Sequence, residues 1–73
     1  METKLMYFNL ADFRGWLREQ LAEKQLTVTE LANMSRVHPN TIRNYLAGRC
    51  DPSYYNVRLI VQALGYELGA IPR

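Results

Sequence analysis

The chain has 73 residues, the size of one small domain, and 48% of them are hydrophobic, which excludes a disordered chain. No apolar run approaches the roughly 20 residues of a membrane span, and the first residues lack the apolar core of a secretory signal. The net charge of +2 excludes no class of partner. Because a single cysteine, Cys50, cannot close an intramolecular disulfide, we expect a cytoplasmic protein.

The basic residues are unevenly distributed along the chain. Residues 36–58 contain one acidic residue, Asp51, against four arginines: Arg36, Arg43, Arg49 and Arg58. Such a cluster is typical of nucleic-acid-binding surfaces. A solvated basic surface explains the charge equally well.

The first third of the chain predicts a short extended segment followed by a helix. Residues 4–8, KLMYF, are apolar without helical spacing, which indicates a short strand or an arm. Asn9 then caps a first helix. The buried stripe of this helix recurs at three- and four-residue spacing: Leu10, Phe13, Leu17 and Leu21. Gly15 lies inside the helix, where glycine costs about 1 kcal/mol relative to alanine.

Two short helices are predicted next. Thr27 and Glu30, in the segment TVTE, form a capping box in which each side chain accepts from the other residue's amide. A third helix begins near Pro39, whose missing N–H suits a first helical position, and ends at Gly48. Two short helices joined by so tight a turn form a helix-turn-helix unit, here at about residues 27–48.

A fourth helix is capped by Ser53 and ends at Gly65. Its apolar face consists of Val57, Ile60, Val61 and Leu64. The tail from Tyr66 alternates like a short strand and is too short for a convincing fifth helix. The prediction is one all-α domain of four helices, five if the tail adds one, with residues 1–8 and 66–73 as terminal arms or strands.

The third helix carries the candidate binding face. Ile42 and Leu46 lie four residues apart and face inward. The opposite side carries Asn40, Arg43, Asn44 and Ala47. Asparagine can bond adenine in pairs and arginine can bond guanine in pairs, so this face matches base edges in a major groove. The alternative is a solvated polar face without a ligand. The Gly48 amide, with the arginine that follows it, suits a phosphate.

Residues 26–68, LTVTELANMSRVHPNTIRNYLAGRCDPSYYNVRLIVQALGYEL, resemble the helix-turn-helix domain of lambda-repressor-like and Cro-like regulators. The markers are the order and spacing of Leu31-Ala32, Val37, Thr41-Ile42, Gly48, Pro52 and Ala63-Leu64-Gly65. The resemblance implies sequence-specific binding to double-stranded DNA, usually as a homodimer on a palindromic site, with the third helix as reader.

Site residues follow from the resemblance and from the charge pattern. Base contacts would fall on Pro39, Asn40, Arg43 and Asn44. Contacts with the DNA backbone would fall on Thr27, Arg36, His38, Thr41, Arg49 and Tyr54. Of Tyr54 and Tyr55, one is expected to bond a phosphate and the other to pack.

Three positions depart from the family pattern. Arg36 stands where the turn commonly has glycine, so a left-handed arginine or a different turn is expected. Val28 replaces a glutamine that often contacts a phosphate. Leu21 and Leu46 stand where many members have an ion pair, which predicts apolar packing instead.

We expect no catalysis, no metal and no cofactor. His38 and Cys50 lack an orienting acid and are too few for a zinc site. Trp16 is interpreted as a core or interface residue.

The predicted function is a bacterial or phage transcriptional regulator, a repressor in the first interpretation. The terminal strands are one candidate dimer interface, and the fourth helix with Trp16 is the other. The alternative function is a helix-turn-helix antitoxin whose C-terminal segment binds a toxin and which autoregulates its operon.

Overall fold

The structure, a computed structural model, describes residues 4–6 and 10–68. Its elements in chain order are β1 (Lys4–Met6), α1 (Leu10–Lys24), α2 (Val28–Ser35), α3 (Pro39–Ala47), α4 (Tyr54–Ala63) and β2 (Tyr66–Leu68). The four predicted helices are confirmed, and the described part of the chain contains no fifth. Asn9, the predicted cap of α1, lies outside the described residues. Across residues 4–6 and 10–68, every helix is too short or too polar to span a membrane.

One hydrophobic core joins the four helices. Its buried members are Phe13, Leu17, Leu31, Ala32, Val37, Ile42, Tyr45, Val57, Ile60, Val61 and Leu64. The predicted stripes of α1 and α4 supply most of this list, because apolar residues at three- and four-residue spacing share one side of a helix. Leu21 and Leu46 are half-buried and pack against the core, as predicted for the positions that lack the family's ion pair.

The two strands pair with each other in parallel. Lys4 lies opposite Tyr66, and Met6 lies opposite Leu68. A strand is therefore present at each end, while residues 7–8 of the first predicted segment and 69–73 of the tail lie outside the described residues. A pair of three-residue strands is marginally stable by itself in water, so it depends on packing against the helices.

Aromatic contacts attach β2 to α1. The Trp16 ring stacks on Phe13 with ring centroids 6.0 Å apart and meets Tyr66 edge-on at 5.8 Å. The Lys24 ammonium lies 5.7 Å from the centroid of the Tyr66 ring, within the range of a cation–π contact. Trp16, a residue of α1, is thus half-buried where α1 packs against β2, which favours its interpretation as a packing residue.

The end of α1 uses a conformation that the sequence did not indicate. Gln25 is left-handed, with φ 54°. Its amide donates to the Ala22 carbonyl at 3.3 Å, and the Leu26 amide donates to the Leu21 carbonyl at 2.9 Å. These are the two hydrogen bonds of a Schellman motif, which usually has glycine at the left-handed position.

Gly15→Ala is expected to raise the free energy of unfolding by about 0.5–1 kcal/mol, because Gly15 is exposed inside α1 and an added Cβ meets no described atom within 4 Å. Gly48→Ala should lower it by about 1 kcal/mol, because Gly48 has φ +72° and the Arg14 guanidinium occupies the space of a Cβ. Urea denaturation of both variants measures the two effects. A loss of stability in Gly15→Ala would contradict the finding that a Cβ at this position has free space around it.

Candidate nucleic-acid interface

The start of α2 is fixed by the predicted capping box. The Thr27 hydroxyl accepts from the Glu30 amide at 3.1 Å, and the Glu30 carboxylate accepts from the Thr27 amide at 3.0 Å. Both side chains are exposed. The Thr27 oxygen accepts within the cap, while its O–H can still donate to a ligand.

The turn between α2 and α3 contains a left-handed arginine, as predicted. Arg36 has φ 64° and ψ 21°, and its amide donates to the Ala32 carbonyl at 2.8 Å. The next amide, that of buried Val37, donates to the Ser35 hydroxyl at 3.2 Å. The turn therefore keeps its shape without glycine and leaves the Arg36 side chain exposed.

His38 caps α3. Its Nδ1 accepts from the Asn40 amide at 3.1 Å, and Pro39 occupies the first helical position. Because Nδ1 accepts, a neutral ring carries its proton on Nε2. His38 is exposed, so Nε2–H can donate to a group outside the protein.

The inner face of α3 differs from the predicted one. Ile42 is fully buried, Leu46 is only half-buried, and Tyr45 is 5% exposed. The Tyr45 hydroxyl accepts from the Asn56 side-chain amide at 2.8 Å, which joins α3 to α4. Sequence reasoning missed Tyr45, although its three-residue spacing from Ile42 was available as a signal.

The outer face of α3 is polar, but only part of it is open. Asn40 and Arg43 are exposed, and Arg43 Nη1 donates to Asn40 Oδ1 at 3.1 Å. The other predicted contact residues of α3 are half-buried: Pro39, Thr41 and Asn44. The structure therefore brings two of the four predicted base-reading side chains into direct contact and leaves those two most accessible.

The end of α3 corrects one sequence-based argument. The Gly48 amide donates to the Tyr45 carbonyl at 3.1 Å, and the Arg49 amide donates to the Asn44 carbonyl at 3.0 Å. This Schellman motif uses both amides within the protein, so the predicted phosphate contact through the Gly48 amide is wrong. Only the exposed Arg49 side chain remains for that role.

Two arginines of α1, which sequence reasoning missed, also lie at the end of α3. Arg18 Nη2 donates to the Leu46 carbonyl at 2.9 Å. Arg14, one turn earlier, places its guanidinium against Gly48. Cations favour the negative end of a helix dipole, typically by about 0.3–1 kcal/mol. Their four-residue spacing was visible in the sequence, but their partner helix was not.

The start of α4 carries Tyr54, the last of the predicted DNA-contact residues along the chain. The Ser53 hydroxyl accepts from the Asn56 amide at 3.2 Å and so caps the helix as predicted. Tyr54 is 49% exposed and Tyr55 is 68% exposed. The prediction that one of the two tyrosines packs is therefore wrong, because both residues are exposed. Within the described residues, no group of three or more His, Cys, Asp and Glu side chains could hold a metal ion.

A capped α2, a tight turn and an α3 with a polar outer face define a helix-turn-helix unit. The family model described as Helix-turn-helix matches residues 17–71, more than half of the chain. The chain therefore belongs to the lambda-repressor-like and Cro-like helix-turn-helix family, which consists of DNA-binding transcriptional regulators. The comparisons with curated proteins and with solved structures found no significant match.

Tyr45→Phe is expected to lower the free energy of unfolding by about 1 kcal/mol, because it leaves the part-buried Asn56 amide without its acceptor. Tyr55→Phe is the matched control, since the Tyr55 ring is mostly exposed. Thermal melting of both variants distinguishes them. Equal melting temperatures would mean that the hydrogen bond between α3 and α4 contributes nothing to stability.

Proposed function

We propose that this protein is a transcriptional repressor of a prokaryotic cell or a phage-infected host, acting in the cytoplasm as a homodimer on a palindromic operator. Its mechanism is occupancy of the operator, which excludes polymerase without catalysis and without a cofactor. α3 lies in the major groove, and its N-terminal half reads the bases.

The observation that carries the proposal is the exposed pair of Asn40 and Arg43 on a helix whose opposite side is buried in the core through Ile42 and Tyr45. Amide and guanidinium groups are the side chains that match adenine and guanine edges in the major groove. The remaining predicted base-reading residues, Pro39 and Asn44, are half-buried and flank this pair. A rigid support matters because readout requires donors and acceptors at defined positions.

Phosphate contacts are proposed at both ends of α3. Nine residues give this helix a length of roughly 13 Å, comparable with the major-groove width of about 12 Å. Exposed arginines stand just before and just after it, Arg36 and Arg49. The other proposed donors to the backbone are the Thr27, Thr41 and Tyr54 hydroxyls and the His38 Nε2–H.

The proposed dimer forms through the edge of the β1–β2 sheet. Within the chain, each three-residue strand pairs on one side only in the described structure. Two copies related by a two-fold axis can pair the same edge strand of each copy in antiparallel orientation. This pairing widens a marginal two-stranded sheet to four strands. Such a dimer would have to present its two α3 helices about 34 Å apart to reach half-sites separated by one DNA turn.

Selection of bound sequences from a random duplex pool, followed by titration of the winner against salt, tests this function. An enriched palindrome with half-sites about one turn apart supports the repressor. Binding that depends on salt alone, without enrichment, refutes sequence-specific repression. A palindrome bound together with a second protein at the C-terminal strand would instead indicate the antitoxin role.

Arg43→Ala is expected to weaken binding to the selected operator by about 1–3 kcal/mol and to relax specificity at one base pair. Arg49→Ala should weaken binding to operator and random DNA alike and reduce the slope of log affinity against log salt by about 0.9. Fluorescence anisotropy at four salt concentrations separates the two effects. Equal losses on operator and random DNA for both variants would contradict the assigned roles.

Arg36→Gly and Gln25→Gly form a matched pair, because both replace a left-handed residue at a helix end. Both should change the free energy of unfolding by up to about 1 kcal/mol in the stabilising direction, since glycine removes the steric cost of positive φ and adds a smaller entropic one. Only Arg36→Gly removes a proposed phosphate contact, so only it should weaken DNA binding and flatten the salt slope. The same salt titration checks this, and unchanged binding in Arg36→Gly would remove Arg36 from the interface.

A further inference from the structure

We infer that Arg43 reads a guanine and that Asn40 is its positioning residue rather than an independent reader of adenine. The inference rests on the proposed function and deepens it, because it names the base pair that this site recognises. It also divides the two exposed side chains of α3 into one that touches the base and one that acts through the other.

The first observation is the hydrogen bond between the two side chains. Arg43 Nη1 donates to Asn40 Oδ1 at 3.1 Å, from one turn of α3 to the next. A guanidinium has five N–H donors, so one bond through Nη1 leaves the parallel pair on Nε and Nη2. Two parallel donors are what guanine O6 and N7 accept.

The second observation concerns the orientation of the Asn40 side-chain amide. Bidentate readout of adenine needs Oδ1 to accept from the base while Nδ2 donates to it. Oδ1 is instead turned along the helix surface toward Arg43. The backbone at this position is also fixed, because the Asn40 amide donates to His38 Nδ1 at 3.1 Å. Asn40 therefore holds Arg43 from a fixed point on the first turn.

The physical benefit is a reduced loss of side-chain freedom on binding. An exposed arginine has many rotamers, and ordering it at a base opposes binding. A hydrogen bond that already restricts Arg43 in the free protein lowers that cost. The two donors that remain favour guanine, because guanine offers two acceptors, N7 and O6, whereas adenine offers N7 beside an N6 donor.

Asn44 provides the control within the same helix. It has the same side-chain chemistry, it lies next to Arg43 in sequence, and the described structure contains no hydrogen bond between its side chain and Arg43. If Asn44 contacts DNA, its contribution is independent of Arg43. Asn40 and Asn44 thus differ in whether the side chain is hydrogen-bonded to Arg43, and the inference depends on this difference.

The experiment is a double-mutant cycle on the operator selected from the random pool. Asn40→Ala should reduce affinity about three- to tenfold, the effect of one lost hydrogen bond, and should reduce discrimination at the guanine that Arg43→Ala also affects. In an Arg43→Ala background, Asn40→Ala should change affinity less than twofold. Asn44→Ala should have the same effect in both backgrounds.

Asn40→Asp separates the positioning of Arg43 from direct readout of adenine, because a carboxylate can accept from Arg43 but cannot donate to adenine N7. Retained preference for guanine in Asn40→Asp supports the inference. Loss of an adenine preference at a separate base pair, or multiplicative losses for Asn40→Ala and Arg43→Ala, overturns it while the proposed function stands. Absence of any enriched sequence overturns both. Thermal melting of each variant checks that the fold is intact, which matters most for Asn44→Ala because Asn44 is half-buried.

Discussion

The burial of one side of α3 is the constraint on which the rest of the structure depends. A nine-residue helix is too short to be stable alone in water, so its position is set by what it buries. Ile42 and Tyr45 enter the core, and the Tyr45 ring meets Phe13 edge-on at 6.3 Å. The Tyr45 hydroxyl also bonds Asn56, which links α3 to α4. These contacts fix the rotation of α3 and therefore the direction in which Asn40 points.

The ends of the helices determine what remains for a partner. The side chains of Thr27, His38 and Ser53 each accept from one backbone amide at the starts of α2, α3 and α4. The Schellman motif at Gly48 uses two more amides at the end of α3. Backbone amides around α3 are therefore largely used inside the protein. Arg18 adds a bond to the Leu46 carbonyl. The DNA contacts proposed for α3 are therefore made by side chains, and the charged ones among them would make binding sensitive to salt.

The small size of the open polar face limits how much sequence one protomer could read, which is why the proposed function invokes a homodimer. One protomer exposes Asn40 and Arg43, while Asn44 is half-buried. A mismatched base pair typically costs about 1–3 kcal/mol, so one such face discriminates weakly among the many sites of a genome. In the proposed homodimer, the contributions of two half-sites would add. The hydrogen-bonded Asn40–Arg43 pair is proposed to sharpen readout at one base pair within each half-site.

Local signals in the sequence determined the starts of α2, α3 and α4 and the ends of α3 and α4, because a cap or a capping box is completed within three or four residues, as at Thr27, Pro39 and Ser53. Those signals also located the polar face. Tertiary structure alone decided that Tyr45 is buried, that β1 pairs with β2 and that Arg18 reaches α3. These features join residues far apart in the chain, and in a short helix several rotations satisfy the same apolar pattern until neighbouring helices select one.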